Sequence, residues 1–352
     1  MNPSFWRGKK VWITGHTGFK GSWLALWLKQ LGAEVHGLSL APRYNPNLFT
    51  LAGVEKQIHS VLGDIRDGAL VRKAAEAAAP EIVFHMAAQP LVRRSYANPE
   101  ETFETNVMGT LRVFEALRTS PKPRAVVSVT TDKVYLNAER GTPFSEDDPL
   151  GGRDPYSASK ACAEILTASY RDSFFDVSKV GVATARAGNV IGGGDWSEDR
   201  LVPDLMRAFA KGEPLRLRNP QATRPWQHVL DPLAGYLTLA EKLFEKPAEY
   251  SRAWNFGPQN ADVQTVAKVV DGLAFHLGNS RAWVQDEGSH PHEARFLSLD
   301  CARAQKDLGW KPLLPLRSGL EWTARWYQAY FEKKNLLDLT LAQIENYEKG
   351  FA

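Results

Sequence analysis

The chain has 352 residues, of which 43% are hydrophobic and 24% charged, and this is the composition of a globular protein large enough for two lobes. The net charge of +3 is small and the charges form no basic stripe, so no nucleic-acid partner is expected. The apolar runs are too short and too charged to span a bilayer, and the N-terminal residues lack a signal-peptide core, which predicts a cytoplasmic protein. Cys162 and Cys301 match no metal spacing and are expected to be buried, reduced thiols.

Up to about residue 190, short β-branched runs alternate with segments of helical spacing. The predicted strands are KKVWIT, EVHGLSL, QIHSVLG, EIVFHMA, RAVVSVT and KVGVATAR, and the predicted helices cover 22–31, 68–79, 99–118 and 156–172. Near-continuous apolar strands that alternate with helices predict an α/β protein, with a Rossmann-like doubly wound sheet of about six parallel strands.

Beyond residue 190 the segments GGGDWSEDR, PLRLRNPQATRPWQ and QDEGSHPHEARF are rich in Gly, Pro and Arg, which predicts a smaller, discontinuous α/β lobe. HVLDPLAGYLTLAEKL and AWNFGP predict a helix and a strand that return to the first domain. We therefore expect a first domain over 1–188 joined by 228–258, and a second lobe over 189–227 and 259–352. The tail, 316–351, predicts two amphipathic helices.

A glycine turn follows the first predicted strand. KVWIT runs into GHTGFKG, from Gly15 to Gly21, and then into the helical SWLALWL. Gly15 permits a tight turn, Gly18 lets backbone amides approach a pyrophosphate, and Gly21 lets the helix pack on the strand. A glycine turn without a ligand is the alternative, but the strand–turn–helix context favours dinucleotide binding.

Several motifs in order then resemble the extended short-chain dehydrogenase/reductase family. They are the G-x-x-G-x-x-G turn, GDIRD at 63–67, HMAAQ at 85–89, ETNVMGT and YSASK at 156–160. The resemblance implies that Asp64 and Ile65 flank an adenine, and that Ala87 and Gln89 line the path to a nicotinamide. The cofactor-binding residues it implies are Gly15, Thr17, Gly18, Phe19, Gly21, Ser39, Asp64, Ile65, Ala87, Gln89, Asn106, Thr130, Tyr156 and Lys160.

One position departs from the family pattern. Ser39 ends the second predicted strand, where an acidic residue normally holds the ribose 2′-OH. Arg43 lies nearby and would favour a 2′-phosphate. The resemblance implies NAD, while this position leaves NADP open.

Tyr156 and Lys160 are four residues apart on a predicted helix and project from one face. A free phenol is a poor base at neutral pH, and an ammonium beside it should lower the pKa of Tyr156, so that it accepts a proton from a sugar hydroxyl. Lys160 could also hold the nicotinamide ribose. Thr131, at the end of the fifth strand, is expected to bond the same hydroxyl, with Thr130 and Ser128 as competing candidates. The alternative is a Tyr/Lys pair on a solvated helix face.

Asp132 and Lys133 add an acid and a base that an epimerase or a reductase does not need. Such a pair resembles the nucleotide-sugar 4,6-dehydratases, in which Asp-Glu is more usual. Asp-Lys, with GHTGFKGSW, AAQPLVRRSY and ARAGNVIGGGDW, is similar to the branch that acts on CDP-glucose. The resemblance implies that Asp132 protonates the leaving C6 hydroxyl and that Lys133 removes the C5 hydrogen. An ion pair between the two would shift both pKa values the wrong way, and a solvated turn is the alternative.

The second lobe offers residues for a nucleoside diphosphate. NPQATRPWQHVLD resembles the R-D-W-x-Y-V-x-D segment of related dehydratases, which implies Arg224 at the pyrophosphate and Trp226 as a packing surface. Asn189 is implied at the pyrophosphate or neighbouring hydroxyls, and Arg216 and Arg295 are further candidates for phosphates and ribose.

The sequence leaves alternatives for a metal site, for the function and for the oligomeric state. His228, His290 and His292 could suggest a metal cluster, but SHPHEAR is more typical of a loop over the substrate, and no metal is expected. The competing functions are a dehydratase of dTDP-glucose, UDP-glucose or GDP-mannose, a 4-epimerase or reductase, and a non-catalytic dinucleotide sensor. By resemblance, helices near 99–118 and 156–172 pair in a homodimer, and a tetramer stays open.

Overall fold

The structure is a computed structural model that describes residues 1–119, 123–137, 141–278, 282–288 and 297–350. The strands within these residues are β1 (Lys10–Thr14), β2 (Glu34–Ser39), β3 (His59–Leu62), β4 (Ile82–His85), β5 (Ala125–Val129), β6 (Gly181–Arg186), β7 (Val190–Ile191), β8 (Leu215–Leu217), β9 (Thr223–Pro225), β10 (Gln227–His228), β11 (Ala253–Asn255), β12 (Val263–Thr265) and β13 (Trp283–Gln285). The α-helices are α1 (Phe19–Gln30), α2 (Leu48–Leu51), α3 (Gly68–Ala78), α4 (Val92–Ala97), α5 (Pro99–Phe103), α6 (Thr110–Arg118), α7 (Pro155–Ser173), α8 (Leu201–Lys211), α9 (Leu230–Glu245), α10 (Pro247–Tyr250), α11 (Val266–His276), α12 (Leu316–Phe331) and α13 (Leu336–Glu348).

The central sheet is parallel and, in the part of the chain described, has seven strands in the order β11-β6-β5-β4-β1-β2-β3. Each of the six predicted runs forms one of these strands, which confirms the Rossmann-like α/β fold. The seventh strand is β11, within the AWNFGP segment that was expected to return to the first domain. The strand order reverses between β1 and β4, so a crevice opens beyond the carboxyl ends of these strands.

The central strands are apolar because helices cover both faces of the sheet. Every residue of β5 and β6 is buried. Buried and exposed residues would alternate along these strands if one face of the sheet were exposed to solvent. Helix α1 is buried from Gly21 to Leu28, including the indoles of Trp23 and Trp27. This helix therefore forms the centre of the core and holds the glycine turn that precedes it in a fixed position.

The predicted helix over 99–118 is interrupted. Between α5 and α6 the chain makes a π-helical stretch, Glu104–Gly109. A Cβ at Gly109 would lie 2.6 Å from the Ile65 side chain, so this glycine lets the widened turn approach the loop after β3.

The second part of the chain carries small two-stranded sheets, which pair β7 with β10, β8 with β13 and β9 with β12. The predicted tail helices are α12 and α13, and α13 packs on α1, where the Trp27 Nε1 donates a 2.7 Å hydrogen bond to Glu348. The proposed domain bounds stay a prediction. No helix among the described residues is both long enough and apolar enough to cross a membrane. Cys301 is buried as expected, but the expectation is wrong for Cys162, which lies on the exposed side of α7.

Candidate active site

A cavity of about 590 Å³ lies beyond the carboxyl ends of β1, β4 and β5. It brings together residues predicted from separate motifs along the chain. The predicted residues that line it are Gly15, Thr17, Gly18, Phe19, Gly21, Ser39, Asp64, Ile65, Ala87, Gln89, Thr130, Thr131, Asp132, Lys133, Tyr156, Lys160, Asn189, Arg216, Arg224 and Trp226.

Two predicted residues are not among them. Asn106 is buried beside the cavity; its Oδ1 accepts from the Gln89 amide at 2.8 Å and its Nδ2 donates to Ser159 Oγ at 2.9 Å. It therefore ties the loop after β4 to α7 rather than lining the cavity itself. Arg295 lies outside the described residues.

The glycine turn has the geometry that its motif predicts. Gly15 has φ of 84°, a conformation that favours glycine, and a Cβ at Gly21 would overlap the carbonyl oxygen of Gly15. No side chain caps α1 at Gly18, so the amides of its first turn are left for a ligand in the cavity. These features fit the pyrophosphate of a dinucleotide.

Ser39 and Thr17 form a small polar site at the end of β2. Their hydroxyl oxygens lie 2.8 Å apart, and Thr17 donates to the Leu40 carbonyl at 2.8 Å. Ser39 must then donate to Thr17, which leaves the Ser39 oxygen as an acceptor. Arg43, the residue that could favour a 2′-phosphate, has its guanidinium 3.6 Å from Glu198.

Thr131 connects the two halves of the predicted catalytic group. It caps a short 3₁₀ turn, Asp132–Val134, that follows β5, and its hydroxyl donates to Asp132 Oδ1 at 3.0 Å. From α7, the Lys160 ammonium donates to the Val129 carbonyl at 3.1 Å. The structure therefore places the Thr, the Asp and the Tyr/Lys helix around one end of the cavity.

The expected lowering of the Tyr156 pKa is wrong for the ligand-free chain. Burial raises the pKa of Tyr156 to about 12, and a hydrogen bond with the Thr131 hydroxyl opposes this rise. Burial also lowers the pKa of Lys160 to about 8. Sequence spacing showed that both side chains share a face, but desolvation depends on what the fold packs around them.

Asp132 is 1% exposed, and its burial raises the pKa of its carboxyl, as a general acid requires. The cations Lys133, Arg224 and Lys20 act in the opposite direction. Among the described residues no ion pair within 4 Å joins Asp132 to Lys133, but the Lys133 charge is the strongest of the three charges that lower the pKa of this carboxyl. Oδ2 of Asp132 has no hydrogen-bond partner among the described residues, and a Cβ at Gly188 would overlap it.

Sequence reasoning missed two residues close to this group. Lys20, in the first turn of α1, lines the cavity, and its Nζ lies 5.7 Å from the centroid of the Tyr236 ring. Burial, together with the cations Arg200 and Lys160, lowers the pKa of Lys20 to about 7. Tyr236 is fully buried on α9, and its hydroxyl has no partner among the described residues. Lys20 could have been predicted as a site residue, because it directly precedes the apolar SWLALWL segment at the start of the helix. No local sequence feature indicates Tyr236.

The opposite side of the cavity carries the predicted substrate residues. Arg224 and Trp226 are buried there, and the Trp226 Nε1 donates to the Gln264 carbonyl at 3.0 Å, while Arg216 is exposed. Asn189 adopts a left-handed conformation with φ of 46°. A basic and aromatic wall of this kind can bind an anionic group that carries a flat base.

His228 is buried between Trp23 and Trp322, with ring centroids 6.1 and 5.9 Å away, and burial lowers its pKa to about 3. It is therefore part of the aromatic packing. His290 and His292 lie outside the described residues.

A buried ion pair joins α7 to the end of β6. Glu164 lies one turn after Lys160 on α7. Its carboxylate accepts hydrogen bonds from Arg186 Nε at 2.9 Å and from Arg186 Nη2 at 2.8 Å. Thr130 and Thr184 also donate to this carboxylate. Glu164 thus fixes the ends of β5 and β6 relative to the helix that carries Tyr156.

Known proteins resemble this chain along most of its length. The GDP-mannose 4,6 dehydratase family model matches residues 12–323. A curated CDP-glucose 4,6-dehydratase of Salmonella typhimurium is 45% identical over 352 residues, which cover 99% of this chain and 98% of that protein.

Solved structures share the fold. The structure of MoeE5 in complex with UDP-glucuronic acid and NAD is 26% identical with a TM-score of 0.77, and the match covers 91% of this chain and 99% of that one. A dTDP-glucose 4,6-dehydratase from Bacillus anthracis, in complex with NAD, is 23% identical with a TM-score of 0.76, covering 93% and 99%. The resemblance predicted from the motifs is confirmed, and the chain belongs to the GDP-mannose 4,6 dehydratase family.

Proposed function

We propose that the protein is a CDP-glucose 4,6-dehydratase, which converts CDP-D-glucose to CDP-4-keto-6-deoxy-D-glucose and water. The observation that carries this proposal is the 45% identity to the Salmonella enzyme along nearly the whole chain. The cavity supports it, because Asp132 and Lys133 follow β5 directly beside Tyr156. An epimerase or a reductase needs no such acid–base pair. The reaction belongs to deoxysugar synthesis, and we propose that it takes place in the cytoplasm.

NAD is the proposed cofactor. The turn from Gly15 to Gly21 would hold its pyrophosphate, the Ser39 oxygen would accept from its ribose 2′-OH, and Lys160 would hold the second ribose. The pairing of Arg43 with Glu198 makes a 2′-phosphate less favourable there. When bound, the cofactor supplies the acceptor for the C4 hydride and returns that hydride to C6, so no net redox change occurs.

Tyr156 accepts the O4 proton in this reaction while C4 is oxidised to a ketone. With a pKa of about 12 in the ligand-free chain, Tyr156 is a phenol at neutral pH, so the occupied site must stabilise its phenolate. The Thr131 hydroxyl contributes to this, since its hydrogen bond lowers the pKa of Tyr156. Lys160, beside it on α7, adds a cation.

Elimination uses the residues of the 3₁₀ turn. The ketone acidifies the C5 hydrogen, which Lys133 removes, and Asp132 donates a proton to the C6 hydroxyl so that it leaves as water. Burial raises the pKa of the Asp132 carboxyl against the effect of its neighbouring cations, which is the direction that a general acid near pH 7 requires. Lys133 is only half-buried and makes no ion pair with Asp132, so its amine is available to the sugar.

The substrate diphosphate is assigned to Arg224, with Asn189 and Arg216 near its oxygens, and the base is assigned to the wall that includes Trp226. We propose that 189–227 and 259–352 form this substrate lobe. The assignment of Arg295 rests on resemblance alone.

The function is tested by incubating the purified protein with CDP-glucose and, in parallel, with dTDP-glucose, UDP-glucose and GDP-mannose, each with NAD or NADP. The 4-keto product is detected by its alkali-dependent absorbance and by the mass loss of one water. We expect water loss from CDP-glucose with NAD. Water loss from another nucleotide sugar alone would retain the mechanism and reject the cytidine assignment. Inversion of a hydroxyl without water loss would reject the roles of Asp132 and Lys133.

We further propose a homodimer, or a tetramer built from it, through helices α5 to α7. Large apolar side chains are exposed on these helices, among them Met108 at 37% and Ile165 at 60%, and a second copy would cover them. Replacing Ile165 with Asp should lower the mass measured by analytical ultracentrifugation. Phe275→Asp is the matched control, because Phe275 is 78% exposed on α11, away from this surface. A monomeric wild type would refute the proposal.

A further inference from the structure

Three side chains that can ligate a metal share one face of the central sheet, away from the cavity. His36 in β2 lies directly beside His59 of β3 in the register of these parallel strands. Glu34 precedes His36 by two residues, and residues two apart on a strand point to the same face. Glu34 and His59 are the first residues of β2 and β3, whereas the cavity lies beyond the carboxyl ends of the sheet.

The three side chains are close enough to hold one ion. One ligand atom from each, an imidazole nitrogen or a carboxylate oxygen, lies within 4.8 Å of the other two. His36 Nε2 and Glu34 Oε1 are 2.9 Å apart, and the rings of His36 and His59 are stacked with their centroids 4.6 Å apart. The ligands of a tetrahedral ion stand about 3.3–3.6 Å from one another. The solvent-accessible side chains of Glu34 and His59 can make the small approach that this requires.

The contacts that these residues make without an ion are weak. Glu34 has the His36 ring at 2.9 Å and the Lys10 ammonium at 3.8 Å. The side chains of Glu34 and Lys10 are 41% and 44% exposed, and an ion pair exposed to this extent contributes little to stability. The His59 ring stacks on His36 and is otherwise exposed to solvent, so its nitrogens are open to a ligand.

The chemistry of the three side chains selects the class of ion. Imidazole nitrogens suit Zn²⁺, Cu²⁺ and Ni²⁺, whereas Mg²⁺ and Ca²⁺ take shells of oxygen ligands. Two imidazoles and one carboxylate form a set that binds Zn²⁺ in proteins, with water in the fourth position. The Lys10 charge beside the carboxylate opposes a cation, so the affinity should be lower than that of a buried structural zinc site.

We propose that Glu34, His36 and His59 form a site for a divalent transition-metal ion such as Zn²⁺, which fastens β3 to β2. In the described sheet β3 is an edge strand that pairs with β2 alone, and its Val61 and Leu62 are 41% and 50% exposed. An ion held by one residue of β3 and two of β2 adds a second attachment for this strand. The site is independent of the function proposed above.

Isothermal titration calorimetry of the full-length, untagged protein with ZnCl₂ tests the site, with MgCl₂ as the control ion. We expect wild type to bind one Zn²⁺ per chain. His59→Gln changes an exposed ligand and should weaken binding at least about tenfold, as should Glu34→Gln. Lys10→Gln should tighten binding about two- to fivefold, because it removes the cation beside the carboxylate.

Other histidines of the chain require a control, because SHPHEAR places His290 and His292 two residues apart. The double variant His290→Gln and His292→Gln should bind Zn²⁺ as wild type does. Co²⁺ serves as a coloured substitute for Zn²⁺. The visible absorption of the bound Co²⁺ should change in His59→Gln and stay unchanged in the double variant.

Hydrogen exchange measures the effect on the edge strand. Zn²⁺ should slow the exchange of the amides of 59–62 in wild type but not in His59→Gln, because only the folded arrangement binds the ion. Unchanged exchange in wild type with Zn²⁺ bound would overturn the fastening of β3.

Four binding results would overturn the site itself. Wild type may bind no Zn²⁺, or it may bind Mg²⁺ equally well. Equal affinity in wild type and His59→Gln would mean an adventitious ion only, and loss of binding in the double variant would place the ion at 290–292. A Lys10→Gln variant that binds no more tightly than wild type would remove Glu34 from the ligand set.

Discussion

Two of the buried histidines should make this protein sensitive to acid. His85 and His228 are 3% and 1% exposed, and burial lowers the pKa of each from 6.5 to about 3. Both stay neutral in the folded protein at pH values where the unfolded chain binds a proton. Because the folded pKa is the lower one, the full stability is present above about pH 6.5 and is lost as the pH falls toward 3.

The size of the loss follows from the two pKa values. At pH 5, about 1.5 units below the unfolded value, each histidine costs about 2 kcal/mol of unfolding free energy. The two together cost about 4 kcal/mol, a large part of the roughly 5–15 kcal/mol that stabilises a typical protein.

Urea unfolding of wild type and His85→Gln at pH 7 and pH 5 tests this. His85 lies between Thr14 and Thr110, with ring-nitrogen to hydroxyl distances of 2.7 and 2.9 Å, and glutamine can keep one of these hydrogen bonds. The variant can be less stable at both pH values, but the difference between them should be about 2 kcal/mol smaller than in wild type. The double variant with His228→Gln should lose about 4 kcal/mol of that difference. An unchanged difference in His85→Gln would refute the reasoning, and measurements between pH 7 and pH 8 serve as the control.

Three further substitutions test the site. Asp132→Asn should lower dehydration by about 10²- to 10⁴-fold while C4 oxidation continues, so reduced cofactor should accumulate in stopped-flow absorbance; unchanged dehydration would remove Asp132 as the acid. Gly188→Ala should abolish activity, because its Cβ would overlap the Asp132 carboxylate, whereas the control Gly68→Ala has only ordinary contacts and should stay active. Glu164→Gln should cost about 3–5 kcal/mol in urea unfolding, because Arg186 is left as a buried unpaired cation. The pair Glu164→Leu and Arg186→Met should cost less than Glu164→Gln alone; an equal or larger cost would contradict the ion-pair argument.

The strands and the glycine turn could be predicted because each has a local cause. β-Branched apolar runs bounded by polar residues form buried strands in this fold, and the turn needs glycine where φ is positive. The placement of the candidate catalytic residues followed from topology, since Thr131 comes just after β5 (Ala125–Val129) and therefore lies at the carboxyl edge of the sheet.

The missed features depend on residues distant in sequence. The helix over 99–118 widens where Gly109 meets Ile65. The hydrogen bonds of Asn106 to Gln89 and Ser159 could not be read from spacing either, and its place at the cofactor stays a prediction. Burial also reversed the expected pKa shift of Tyr156. Such desolvation depends on the whole packing around a side chain, which spacing along the chain does not reveal.

The charge balance at Asp132 links the substrate lobe to the chemistry. Burial raises the pKa of its carboxyl, while Lys133, Arg224 and Lys20 lower it. In the proposed complex the diphosphate pairs with Arg224 and neutralises one of these cations. The remaining cations then oppose burial less, so Asp132 holds its proton more firmly in the occupied site than in the empty one. Binding of the nucleotide would in this way prepare the acid that the sugar needs, although the diphosphate itself takes no part in the bond changes.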